Sequence, residues 1–175
     1  MLTPADIRSV IPLAFEEAAL PGLLAERGFP PRLLRLELTE SAFIEHPERT
    51  AALIAELRRI GVQVIIDNFG TGYAALSYLK DLPVDGLKID QTFVRDMLED
   101  PDDLAILEGV IGLAKAFRRE VVAEGVETLV HGLRLLQLGC ETAQGYGIAR
   151  PMPAGAVPDW VRAWRPDPSW SEACE

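Results

Sequence analysis

The chain has 175 residues, 49% of them hydrophobic, which suits one packed domain and is short for two. Lys and Arg number 17 against 27 Asp and Glu, for a net charge of −10 and an isoelectric point near 4.7. That balance argues against DNA or RNA binding through the overall field, and leaves room for a small anion held through a metal ion. Mean hydropathy is +0.12, and no apolar run approaches the roughly 18 residues of a membrane span, so a soluble domain with no membrane span is expected. The N-terminal MLTPADIRSV lacks the basic start and long apolar stretch of a secretory signal. Two cysteines, Cys140 and Cys174, make neither a disulfide framework nor a zinc site, so a cytoplasmic setting is expected.

Short apolar runs alternate with amphipathic stretches, which reads as a repeated β/α unit with a parallel sheet. Leu20 to Gly28 reads as a helix ending in glycine, whereas Ile7 to Leu13 fits a strand or a helix equally. Leu33 to Leu38 is the first clear strand. A helix from Glu48 to Ile60 follows, with Leu53, Ile54, Leu57 and Ile60 at helical spacing and Gly61 as its stop. Val62 to Ile66 is a second strand, then the loop NFGTGY and a short helix over Ala74 to Leu79. Val84 to Ile89 is a third strand, and Phe93 to Leu98 a turn or two of helix. Asp102 to Phe117 is a longer helix with Leu104, Leu107, Val110, Ile111, Ala114 and Phe117 on one face. Val121 to Ala123 is a fourth strand. Thr128 to Leu138 is a helix with Leu129, Leu133 and Leu136 inward. Weak strands are expected at Glu141 to Ala143 and around Tyr146 to Ile148. The tail from Pro166 reads as loosely packed.

The polar residues at the strand ends carry the chemistry. Glu37 and Glu40 stand at the end of the first strand, Asp67 and Asn68 at the second, Lys88 and Asp90 at the third, Glu124 and Glu127 at the fourth, and Gln144 at the fifth. In parallel β/α folds these ends converge on the functional site. Several carboxylates with one lysine among them then meet in one place. Such a gathering repels itself unless pKa values rise or a cation binds, and oxygen-only ligands favour Mg²⁺, Mn²⁺ or Ca²⁺ over zinc. Lys88 alternates with Leu87 and Ile89, so it points away from their face, toward anionic partners. The alternative for each residue alone is a solvated strand-end charge. Asn68 to Tyr73 is a loop over the site, and its GTG is also compatible with a plain turn. His46 reads as a loop residue, His131 as exposed on a helix, Trp160 and Trp164 as packing residues one helical turn apart, Cys140 as a buried free thiol, and Cys174 as exposed.

Four segments in order resemble the EAL-domain family, the cyclic di-GMP phosphodiesterases of bacterial signalling. They are LELTES (Leu36 to Ser41), IDNFGTGYAALSYLKDLPVDGLKID (Ile66 to Asp90), VVAEGVET (Val121 to Thr128) and GCETAQGYGIARPMP (Gly139 to Pro153). The resemblance covers roughly residues 2 to 165, treated as one domain (1–165) with a tail (166–175). It implies a modified TIM-like (β/α) barrel, and two Mg²⁺ or Mn²⁺ ions that activate a water to cleave cyclic di-GMP to the linear pGpG. By the same resemblance, Glu37, Asp67 and Glu124 match metal-binding carboxylates, with Asn68 beside them. Lys88 matches the lysine near the attacking water and phosphate, and Glu127 and Gln144 match residues supporting the metal–water site. Glu40 matches the glutamate that holds the loop containing Phe69, Gly70, Thr71 and Gly72.

The departures are as informative. The family's Glu-Ala-Leu strand is absent, and the chain begins after the family's second strand, where Met1 stands in place of a ligand asparagine. The family's DDFG is Asp67-Asn68-Phe69-Gly70 here, and Asn68 offers a carbonyl oxygen without a charge. An incomplete barrel with open edges is therefore expected, covered by a homodimer or a partner chain. The preferred function is a cyclic di-GMP-binding domain with weak or no hydrolysis; the alternatives are an active metal-dependent phosphodiesterase and a protein-interaction module without nucleotide binding.

Overall fold

Five strands form the skeleton of the computed structural model, which describes residues 19–39, 47–70, 79–80 and 82–172. They are β1 (Arg35–Thr39), β2 (Gln63–Phe69), β3 (Gly86–Ile89), β4 (Glu120–Glu124) and β5 (Thr142–Gln144). Spatial order equals chain order, and every neighbouring pair is parallel. Parallel neighbours need long crossovers, which helices supply. Helix α1 (Ala19–Glu26) precedes β1, and α2 (Pro47–Arg59) joins β1 to β2. Helices α3 (Gln91–Asp96) and α4 (Pro101–Ala116) lie between β3 and β4, and α5 (Leu129–Gln137) between β4 and β5. Helices α6 (Val157–Ala163) and α7 (Pro168–Glu172) follow the sheet. This is the expected α/β class, with consecutive parallel strands as in an incomplete barrel wall. No described helix is long and apolar enough to cross a membrane.

The central strands are buried on both faces, as a helix-covered parallel sheet requires. Val64, Ile65 and Ile66 of β2 and all of β3 are buried. Their helix-facing side chains meet Ile54 and Leu57 of α2 and Leu107, Ile111 and Ala114 of α4 in one apolar cluster. Local signals set the helix starts. Asp100 caps α4 by accepting the Asp102 N–H at 2.8 Å, with Pro101 at the first helical position. Thr128 caps α5 through the His131 N–H at 3.3 Å.

Several expectations are corrected. Helix α5 buries His131, Gly132 and Leu135, while the expected Leu133 and Leu136 are only half-buried and Leu129 is exposed. Leu129 is 40% exposed, and His131 is buried rather than exposed. The reason is that the helix packs through its first turn against the loop after β4, as shown below. The stretch around Tyr146 is a hydrogen-bonded turn rather than a strand, with the Ile148 N–H donating to the Gly145 carbonyl at 3.0 Å. The tail from Pro166 is helical in its described part, Pro168–Glu172. It forms α7, started by Asp167, which accepts from the N–H and Oγ of Ser169 at 3.0 and 2.6 Å. Cys140 is buried, as expected, and Trp160 and Trp164 pack on each other with ring centroids 5.8 Å apart. The expected helix over Ala74 to Leu79 lies, but for Leu79, outside the described residues. Ile7 to Leu13 and Cys174 also lie outside them.

Candidate functional site

Lys88 sits between two core residues on β3. Leu87 and Ile89 point into the apolar cluster, and strand alternation sends Lys88 to the opposite face. There its Nζ lies 2.7 Å from Glu37 Oε2, 2.8 Å from Glu124 Oε1 and 3.6 Å from Asp67 Oδ1. The carboxylates come from β1, β4 and β2, so three strands of the sheet each contribute one. Lys88 is 6% exposed, which makes a bare ammonium costly there. Burial works against the charge. The bonds to Glu124 and Glu37 and the charges of Glu37 and Asp67 outweigh it, and the pKa is pushed up to about 12. The lysine is therefore a fixed cation at neutral pH.

The end of β2 is irregular. Its pairing with β3 slips between Ile66 and Phe69, and such a bulge re-aims side chains near a site. Asn68 takes a left-handed φ of 55°, a conformation that asparagine tolerates better than most residues. Its N–H donates to Asp67 Oδ1 at 2.9 Å, which holds the carboxylate beside Lys88. The Phe69 side chain goes into the apolar core. Gly70 lies over Phe93: a Cβ there would come 3.3 Å from the ring.

Gln144 of β5 stands opposite Glu124 in the sheet register, and its amide Nε2 donates to Glu124 Oε1. Glu124 thus serves Lys88 and Gln144 together. Beside them opens a cavity of about 400 Å³, lined among others by Gln91, Glu124, Glu127, Gln144, Tyr146 and Arg150. The Arg150 guanidinium lies 4.7 Å from the centroid of the Tyr146 ring. The loop after β4 carries Glu124 to Glu127 around this cavity and depends on Gly125. That residue has φ +81°, and a Cβ on it would approach Gln91 Cβ to 2.8 Å.

Of the residues expected at the site, the structure brings together Glu37, Asp67, Lys88, Glu124 and Gln144 and places Glu127 on the adjoining cavity. Asp90 does not join them. It caps α3, accepting from the Thr92 N–H at 2.8 Å and the Thr92 Oγ1 at 2.6 Å. Glu40, Thr71 and Gly72 lie outside the described residues. Gln91 is not singled out by the sequence, whereas Tyr146 and Arg150 fall in the GCETAQGYGIARPMP segment that carries the resemblance. Gln91 opens α3, and Tyr146 and Arg150 lie in and just after the turn that follows β5. The donor set is all oxygen, which suits a hard divalent cation. Among the described residues, however, no three His, Cys, Asp or Glu side chains are grouped to hold a metal ion. The ammonium stands between the carboxylates.

A family model described as the EAL domain matches residues 12–151. The chain belongs to the EAL-domain family. Over 144 residues this EAL domain is 40% identical to a protein named cyclic di-GMP phosphodiesterase NbdA, from Pseudomonas aeruginosa. The match covers 82% of this chain and 18% of NbdA, so the chain spans less than a fifth of that relative. Among solved structures it is similar to the MucR phosphodiesterase of P. aeruginosa in complex with c-di-GMP, with TM-score 0.77 and 38% identity over 83% of this chain and 60% of that one. It is also similar to Klebsiella pneumoniae BlrP1 in a manganese and c-di-GMP complex, with TM-score 0.71 and 31% identity over 79% of this chain and 36% of that one.

Proposed function

We propose that this EAL domain binds cyclic di-GMP at the C-terminal ends of β1 to β5 and hydrolyses it weakly or not at all. The observation that carries the reading is the Lys88 ammonium, buried at the strand ends in a chain of net charge −10. It supplies a fixed positive charge beside the cavity where a phosphodiester would lie. Two similar structures contain this nucleotide. Arg150, which lines the cavity with Glu127, adds a second cation.

In this reading Lys88, Glu127 and Gln144 face the phosphate and the water near it. Glu37, Asp67 and Glu124, with the Asn68 amide, are the residues to hold Mg²⁺ or Mn²⁺, and Glu40 supports the Phe69 to Gly72 loop. A bound divalent ion would neutralise the phosphate and lower the pKa of a water. Asn68 contributes no charge to that task. In the described geometry Glu37 and Glu124 are each committed to the ammonium, and Glu124 to Gln144 as well. Both features weaken metal binding and hence turnover.

An active Mg²⁺- or Mn²⁺-dependent phosphodiesterase is the second reading, favoured by the meeting of three carboxylates from three strands. Incubation with cyclic di-GMP and Mn²⁺, with chromatographic detection of pGpG, separates the two. Retained binding with little product over hours fits the proposal. Rapid product formation that is lost on Glu124→Ala would replace it with the second reading.

A further inference from the structure

We propose that the C-terminal helix α7 is a strap that fixes the position of Glu127, acting through the first turn of α5. Trp170 of α7 donates its indole N–H to the Leu129 carbonyl at 3.0 Å. Its ring fills the space a side chain would take at position 132: a Cβ on Gly132 would stand 2.6 Å from Trp170 Cε2 and Cζ2. On the same turn, the buried His131 accepts the Glu127 N–H at its Nδ1, 3.4 Å away. Leu129 to Gly132 thus hold the strap on one side and the Glu127 loop on the other. A helix's first turn has unpartnered N–H groups and frays, so clamping it steadies the residues just before it. The strap lies beyond residues 12–151, the span matched by the family model. Trp170 and His131 are positioning residues in this scheme, since each reaches the cavity only through another group.

The functional half of this inference rests on the nucleotide reading above, and the mechanical half does not. Amide hydrogen exchange by NMR on the full chain tests the mechanical half. Trp170→Ala and Gly132→Ala should each speed exchange at the Glu127 amide by about fivefold or more, with Ile65 and Leu87 in the sheet unchanged. Gly132→Ala is the sharper variant. Alanine favours a helix over glycine, so without a strap it would slow exchange in this turn. His131→Leu should speed exchange at Glu127, and His131→Gln, which keeps an acceptor, should restore it. An unchanged Glu127 rate in Trp170→Ala, slower exchange in Gly132→Ala, or an equal rise at Ile65 and Leu87 would each overturn the strap. Cyclic di-GMP affinity should fall by about fivefold in Trp170→Ala, the loss matching the loosened loop. Wild-type chain that binds no nucleotide, with the exchange effects as stated, would overturn the nucleotide reading while supporting the strap.

Discussion

Replacing Lys88 with methionine removes the cation that Glu37, Asp67 and Glu124 share, at nearly constant volume. The lysine pKa stands at about 12 against an ordinary 10.5. That rise corresponds to about 2 kcal/mol in favour of the charged form in the folded chain. The Lys88 side chain is 8% exposed, so solvent screens it little, whereas Glu37 is 42% and Glu124 23% exposed. Breaking a fully buried pair costs about 3–5 kcal/mol, and partial access of the carboxylates to water lowers this to about 2–3 kcal/mol here. Urea denaturation at pH 7 should show that loss in Lys88→Met. The sign of the pH dependence follows from the raised pKa. The lysine's contribution is complete below its unfolded pKa and is lost as pH rises through about 12. The gap between wild type and variant should therefore narrow toward pH 12. A deficit below about 0.5 kcal/mol at pH 7, or one that stays flat with pH, would refute this account of the cluster.

The other predictions concern the same wall of the sheet. Asn68→Asp adds a carboxylate at the β2 bulge and should raise pGpG formation with Mn²⁺ by about tenfold or more; equal rates would show that Asn68 does not limit turnover. Gly125→Ala should cost about 1–3 kcal/mol in thermal or urea unfolding, because φ is +81° and Gln91 leaves no room for a Cβ; wild-type stability would contradict that geometry. Cys140 is 3% exposed, and burial pushes its thiol pKa above the ordinary 9.0. Alkylation mapped by mass spectrometry at pH 8 should therefore modify Cys140 only as fast as the chain opens, and rapid labelling of native protein would contradict its burial.

The sheet was legible because period-two and period-3.6 apolar patterns dominate its segments. The runs LLRLEL, VQVII, VDGLKI and VVA mark β1 to β4 to within a few residues, and strand alternation alone sends Lys88 away from Leu87 and Ile89. Parity does not reveal which strand-end acids become local caps. Asp90 reads like Asp67 and Glu124, yet the helix beginning at Gln91 takes its side chain. The inward face of α5 was misread for a tertiary reason. The pattern counted leucines, while the packing is set by a small residue under Trp170 and a histidine bonded to a loop amide. The order in the tail depends on that same seat at Gly132, a contact 38 positions away that no local propensity records. The cavity wall from Tyr146 and Arg150 shows in the sequence only through the family motif, because turn residues carry no periodicity.

Calorimetric titration of the folded chain with cyclic di-GMP, with Ca²⁺ in place of Mn²⁺ to suppress turnover, tests the central claim most directly. The account predicts saturable heat near one nucleotide per chain or per dimer. It also predicts weaker binding in Lys88→Met, because the fixed charge at the strand ends is gone. Absence of heat up to high micromolar nucleotide, in a chain shown by circular dichroism to be folded, would contradict it.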